Sequence, residues 1–563
     1  MTHIAGRALC AFVLCSMFAE AQDRNYARSM VISQQGIVAT SQTLASQAGA
    51  QALARGASAI DAAIVANAVL GVVEPMMNGI GGDLFVIYWD AGSRRLYGLN
   101  ASGWSPAALT PERLKAAGHT AMPAGGIHSV TVPGCVAGWE QLHQRFGRMP
   151  WRELFAPAIY YARSGFPVTE LISETWRNSE AKLAADPNSR GVFLPAPRVG
   201  GMFRNPRLAL ALEAIAAGGA GAFYRGAIAK ALLKTSERLG GTMAAADLAE
   251  YQAEWVDPIA TEYRGWKVYE LPPNGQGIAA LQMLNIMERF PLARLGPQSA
   301  GDLHYKIEAQ KLAYADLARY VADPRFASVP VAGLLSKPYA AGRAKLIDAT
   351  RARCQAAPGN PPEPGGDTIY LAAVDREGNI VSLIQSIYLA FGSGIAVDDY
   401  GFHLHNRGAL FTLEAGHPNL LAPRKRPFHT IIPGFMERGE TRMGFGIMGG
   451  LNQAQAHAQF VSNVADHGMN IQAALEAPRF TKLTFGGCDL SIERRVAPQV
   501  RDTLTARGHV LTVLGDYSMQ VGGGQAVLHD AAAGVNYGAS SPRKDGAAVP
   551  EPAPYFTPPP PSR

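Results

Sequence analysis

Between Arg351 and Asp367 the chain cannot pack a core. Pro358, Gly359, Pro361, Pro362, Pro364, Gly365 and Gly366 crowd this stretch, and such a composition favours an exposed, mobile linker. The core must therefore be assembled from what lies on either side. Directly after the linker, Thr368 opens the apolar run Ile369-Tyr370-Leu371-Ala372-Ala373-Val374, which ends at Asp375-Arg376-Glu377-Gly378-Asn379. A β-branched opening and a charged, Gly/Asn-bearing close predict a strand and a turn.

Upstream, an Ala-rich stretch from Ala39 to Leu70 predicts a buried helix. The glycine-rich turn Asn78 to Asp83 leads into Leu84-Phe85-Val86-Ile87-Tyr88-Trp89, a continuous apolar strand, and Asp90-Ala91-Gly92 turns it into a hairpin with Leu96 to Leu99. Those glycines precede a strand instead of joining strand to helix, so they are no dinucleotide fingerprint. Residues 151–346 read as mostly helical, with clear segments over 206–217, 227–238, 278–288 and 300–321. In the last, Leu303, Ile307, Leu312 and Ala315 form an apolar stripe, while Lys306, Glu308, Lys311 and Arg319 are polar. Strands return over 368–374, 380–388, 430–436 and 441–447, and a long helix follows over 452–467. Strands, helices, then strands fit an α/β fold of two sheets between helix layers.

The length of 563 residues would allow three or four domains of about 150 residues, or one large unit. Hydrophobic content of 48% against 17% charged supports a sizeable core. The net charge of +6 is scattered, and the one dense basic cluster, Arg424-Lys425-Arg426, sits between Pro423 and Pro427. No nucleic-acid motif accompanies it, so no such partner is expected. Residues 1–21 read as a secretory signal: Arg7, an apolar run over 9–18, then Ala19-Glu20-Ala21. The run is shorter than the ~20 residues that span a bilayer. A periplasmic or secreted protein without a membrane anchor after signal removal is expected. Cys10 and Cys15 leave with the signal, and Cys135, Cys354 and Cys488 form neither a disulfide framework nor a metal-ligand set. At most one disulfide is possible, and three free thiols are equally open. The proline-rich tail 550–563 is expected to be disordered.

After Thr368 come Ser386, Phe391-Gly392-Ser393-Gly394, Asn406, Lys425-Arg426-Pro427 and Gly449-Gly450, in that order. Before it come Gly56-Ala57-Ser58-Ala59-Ile60-Asp61-Ala62-Ala63, Gly79-Ile80-Gly81-Gly82-Asp83, Val132-Pro133-Gly134, Phe223-Tyr224-Arg225-Gly226, Pro272-Pro273-Asn274-Gly275-Gln276-Gly277 and Asp323-Pro324. With this ordered set the chain resembles the γ-glutamyltranspeptidase (glutathione hydrolase) family of N-terminal nucleophile hydrolases. The resemblance implies an αββα sandwich built from both halves of a self-cleaved chain. Residues 22–367 would be the large subunit and 368–563 the small catalytic one. It also implies a small-molecule amide or peptide substrate and no cofactor. Breaking the Asp367–Thr368 bond would give Thr368 a free α-amine, so that its hydroxyl is the nucleophile and its amine the base. The resemblance gives Ser386 a hydrogen bond to that nucleophile and makes the Gly449 and Gly450 amides the oxyanion hole. Their segment follows a strand and precedes a helix, where backbone N–H groups point outward unpaired.

The substrate clamp departs from the family. Ser102 stands where an arginine would hold the α-carboxylate, and Ala409-Leu410 replaces the Asp-Asp that would hold the α-amine. The serine pair is His429-Thr430, and the Asn and Gln contacts become Tyr388 and Arg407. An ammonium facing Leu410 would lack its counter-charge. The expectation is a different acyl group, in a pocket drawn from Trp104, Tyr388, Phe428, His429 and Thr430, with Arg407 able to grip an anionic end. This pattern resembles the branch of the family that includes oxamate amidohydrolases and cephalosporin-type acylases. Among His403, His405 and His429, strand positions 403 and 405 share one face without a Cys or carboxylate partner, so no metal is expected. A γ-glutamyl donor such as glutathione remains the rival substrate. An uncleaved, non-catalytic homologue acting as a binding protein remains the alternative function.

Overall fold

The unbroken apolar run becomes the strand Asp83–Asp90, buried on both faces because it lies inside a layered molecule. Leu84, Val86 and Tyr88 join the core beneath an outer helix layer, while Phe85, Ile87 and Trp89 enter the core shared with a second sheet. There Trp89 stacks on Phe435 with ring centroids 6.1 Å apart. These features come from a computed structural model, which describes residues 24–361 and 371–555. Thr368, the signal stretch and the tail beyond 555 lie outside the described residues.

Among those residues two seven-stranded sheets face each other. One runs, edge to edge, through Val31–Ser33, Val535–Ser540, Gly524–Asp530, Thr441–Ile447, Gly434–Arg438, Trp266–Glu270 and Ile259–Tyr263. The other runs through Ala548–Pro550, Ile37–Ala39, Ala372–Val374, Ile380–Ser386, Asp83–Asp90, Arg95–Ala101 and Glu254–Val256. Every pairing in both is antiparallel. The helices Thr43–Ala54, Ala59–Val73 and Cys135–Phe146 cover the second sheet, and Gly277–Met287, Asn452–Ala465 and Ile471–Glu476 cover the first. This is the expected αββα sandwich. Strands from before and after the 351–367 stretch alternate in both sheets, so neither half completes a sheet alone.

Most expected elements are present, and the differences have local causes. The Ala-rich segment is two helices broken at Gly56 (φ 88°), the second started by a Ser58–Asp61 capping box. The strand expected to reach residue 388 stops at Ser386 because Tyr388 takes a left-handed backbone (φ 74°). The strand expected from 430 begins at Gly434, since the Ile432 amide turns aside to the Gln453 side chain. Most of the polar face of helix Ala300–Tyr320 is buried: Lys306 pairs with Asp302 at 2.9 Å and Lys311 with Glu308 at 2.7 Å, while Arg319 near its end is exposed. One disulfide joins Cys354 to Cys488, and Cys135 is a buried free thiol. The tail is in place further than expected: Ala548–Pro550 is an edge strand, and buried Glu551 accepts from the Gly36 amide at 3.0 Å.

Candidate active site

Two antiparallel neighbours set up one end of the second sheet. In their register Asp83, the first residue of its strand, faces Ser386, the last residue of the next. The glycine turn before Asp83 has to be glycine, because a Cβ on Gly82 would lie 2.4 Å from the Ser386 carbonyl oxygen. Beyond Ser386 the chain reverses, and the Ser386 hydroxyl accepts the Tyr388 amide at 2.8 Å. On the other side of Ile380–Ser386, Ala372 faces Ser382, and the Leu371 carbonyl accepts the Leu383 amide. The chain therefore comes into Ala372–Val374 from the Ser386 end.

Opposite stands the turn between strand Thr441–Ile447 and helix Asn452–Ala465. His457 of that helix accepts the Ile447 amide at 3.2 Å and meets Glu270 at 2.8 Å, which fixes the end of the strand. Gly449 (φ 122°) and Gly450 (φ 61°) follow, in backbone conformations that favour glycine. Among the described residues neither of their amides has an acceptor. Gln276 donates to the carbonyls of Thr430 and, at 2.8 Å, Gly450, tying the turn to the adjoining wall.

Between these two structures lies a cavity of about 410 Å³. Ser386, Tyr388, Thr430, Gly449 and Gly450 line it, with Met77, Ile384, Leu389, Ile431, Met448, Leu451 and Leu483 giving it an apolar surface. None of its described lining residues carries a charge. Leu371, Ile384, Gln385 and Met448 also border a small void of about 40 Å³ next to it. A larger open hollow of about 990 Å³ lies elsewhere; none of the expected site residues lines it, and its Asp545 accepts from Thr169 and the Leu171 and Ile172 amides.

The remaining expected contacts are one layer back or elsewhere. Arg407 is fully buried, its Cζ 4.7 Å from the Tyr388 ring centre and its Nη1 donating to Thr430 Oγ1 at 2.9 Å. Tyr388 and Thr430 thus stand between Arg407 and the cavity. His429 turns away and meets Asp83 Oδ2 at 2.8 Å, with His405 at 3.3 Å and Arg407 Nε at 3.4 Å from the same oxygen. So His405 and His429 do share a carboxylate, one supplied from far upstream. Burial alone would raise the Asp83 carboxyl; the imidazoles of His405 and His429 reverse this and hold it far below the ordinary carboxylate range. Burial first, then the Arg407 charge, pushes His429 down to about 3, so it is neutral at pH 7 and donates to Asp83 through Nε2. Ser102 is buried in a hydrogen-bond net with Asn100 and Asn274. Trp104 lies apart from the cavity, donating to the Asp247 carbonyl at 3.2 Å beneath Arg424. Asp83 and Gln276 are the residues that motif reading passed over, although both lie in glycine-rich motifs that stand out in the sequence.

A network around one buried carboxylate makes a sharp prediction. Asp83→Ala leaves the Arg407 guanidinium without its counter-charge and should cost about 3–5 kcal/mol of stability in urea unfolding. Because the folded carboxyl is depressed, its contribution is complete above the unfolded value of about pH 4 and fades as acid is added below it. The acid side of the stability profile should therefore flatten in the variant.

The gamma-glutamyltranspeptidase model matches residues 45–551. The chain belongs to the gamma-glutamyltranspeptidase family. It is 36% identical over 528 residues to the glutathione hydrolase-like YwrD proenzyme of Bacillus subtilis, covering 92% of this chain and 99% of that one. It is 35% identical over 529 residues to the acylase ACY 1 proenzyme of Pseudomonas sp. strain SE83, covering 91% and 93%. The crystal structure of cephalosporin acylase from Bacillus halodurans superposes with a TM-score of 0.88 at 40% identity, over 94% of this chain and 99% of that one. This gamma-glutamyltranspeptidase-family chain is thus an amide hydrolase, related to proteins made as proenzymes. Among the described residues no helix is long and apolar enough to cross a membrane.

Proposed function

We propose that this family member is an exported hydrolase of apolar or neutral acyl amides, which cuts itself before Thr368 and uses that residue as its nucleophile. The observation that carries this reading is the pair of amides at Gly449 and Gly450, without an acceptor among the described residues, beside a cavity whose described lining is uncharged and includes Ser386. Two adjacent N–H groups in such a turn form a nest for a developing oxyanion. Leu371, which leads into Ala372, borders the small void next to that cavity, which suits a nucleophile a few residues upstream of it. In the proposed cycle the Thr368 amine takes the hydroxyl proton, and the hydroxyl oxygen attacks the substrate carbonyl. The oxyanion rests on the two glycine amides, the amine leaves protonated, and water then resolves the ester. The disulfide suits an oxidising compartment and supports export. The lack of charge among the described residues around the cavity favours an acyl group other than γ-glutamyl.

Sequencing the smaller fragment of the purified protein tests the processing step: its first residues should be Thr-Ile-Tyr-Leu. An active protein whose chain stays intact would overturn it. The oxyanion hole has its own test. Gly449→Ala should disturb a φ of 122° and lower kcat by roughly 10²–10³, the usual loss of one oxyanion donor, with little change in KM.

A further inference from the structure

The disulfide lies across the proposed cut. Cys354 precedes Thr368 and Cys488 follows it, 134 residues apart in sequence. The Cys354 backbone is docked there as well: its carbonyl accepts the Gly487 amide at 2.9 Å, and the nearby Ala352 amide donates to the Arg507 carbonyl at 2.7 Å. The two cysteines are unequal. Cys354 is exposed and Cys488 is buried. Lys311 Nζ lies 3.7 Å from Cys488 Sγ, on the buried polar face of its helix. Lys311 also donates to Glu308 at 2.7 Å and lies 3.5 Å from His509 Nδ1, while His509 Nε2 meets His304 Nδ1 at 2.8 Å and His304 Nε2 meets the Asp348 carbonyl at 2.7 Å. That ordered chain accounts for the His304–Glu308–His509 trio without an ion and leaves an ammonium facing the sulfur.

We propose that Cys354–Cys488 is a covalent tether between the two processed fragments and a site of thiol–disulfide exchange that opens by attack on Cys354. The inference rests on the processing reading above. An external thiolate bonds to the sulfur of Cys354, the more exposed residue, the S–S bond breaks, and its electron pair goes to Cys488, where the Lys311 ammonium receives the charge. A second external thiol displaces the first from Cys354. Two thiols are thereby oxidised to one disulfide, and their two protons pass to the two cysteines. The tether also bears on the site: Cys488 ends the bend 484–488, and Leu483, just before that bend, lines the candidate cavity.

Paired denaturing gels test the tether. The wild-type protein should run as one band without reductant and as two with it, and Cys354→Ser, an exposed replacement, should give two bands on both gels. Two wild-type bands without reductant would overturn the tether alone. One band with reductant would overturn the processing reading instead, and mass mapping of a Cys354–Cys488 linked peptide would then decide the bond. The direction of opening is read by quenching a partial reaction with 2-mercaptoethanol in acid. The adduct should map to Cys354, and an adduct on Cys488 would overturn the exchange step.

Discussion

Thr368→Ala should give a chain that folds, stays unsplit and hydrolyses nothing measurable. One hydroxyl is proposed to serve both reactions, so both should be lost together: no second band under reduction, and turnover down at least about 10⁴-fold, within the range set by removing an acyl-transfer nucleophile. The surrounding fold gives no reason for collapse. Ser386, Gly449 and Gly450 are held by strand register and by Gln276 and His457, all independent of residue 368. Thr368→Ser keeps a hydroxyl and should still split. A Thr368→Ala protein that splits, or one that stays whole yet turns over substrate, would place the nucleophile elsewhere.

The second large effect is in substrate choice. A γ-glutamyl group brings an ammonium and a carboxylate into the acyl site. The described residues around the cavity offer neither a cation nor an anion. Arg407, a charge behind the Tyr388–Thr430 wall, is already committed to Asp83 and Thr430. Each hydrogen bond to a charged group is worth about 1.5–3 kcal/mol, so forgoing both should cost two to four powers of ten. We expect kcat/KM for a γ-glutamyl anilide to lie at least about a hundredfold below that for the best neutral acyl anilide of similar size. Were glutathione the best substrate, the uncharged cavity would not be the acyl site.

The residues proposed to carry catalysis stand out in the sequence because they are written in local motifs. The order of Thr368, Ser386 and Gly449-Gly450, and the glycine turn before Asp83, each belong to short stretches with their own backbone demands. What could not be read is what the fold collects from afar. Asp83 lies more than three hundred residues from His405, Arg407 and His429, so nothing local marks them as one network. For the same reason Arg407 looked free to meet substrate: its counter-charge comes from the far end of the chain. Cys354 and Cys488 were undecidable on spacing, and nothing near Lys311 in sequence marks it as facing Cys488. The fold class survived because layer patterning is an averaged property, whereas pairings are not.

The alternation of strands from both sides of the 351–367 stretch has a further consequence for how long the enzyme lasts. The precursor reaches its sheets as one continuous chain, with its widely separated strands joined by one unbroken backbone. Once the chain is cut, Ala372–Val374 still sits between Ile37–Ala39 and Ile380–Ser386, but the backbone link that brought it there no longer exists, and the Cys354–Cys488 bond ties the fragments at another place. Heat that opens the sheets then destroys information that cooling does not restore. Survival of the mature enzyme becomes a matter of opening rate, expressed as a half-life that shortens steeply with temperature. Its uncut Thr368→Ala counterpart, by contrast, should recover its fold on cooling.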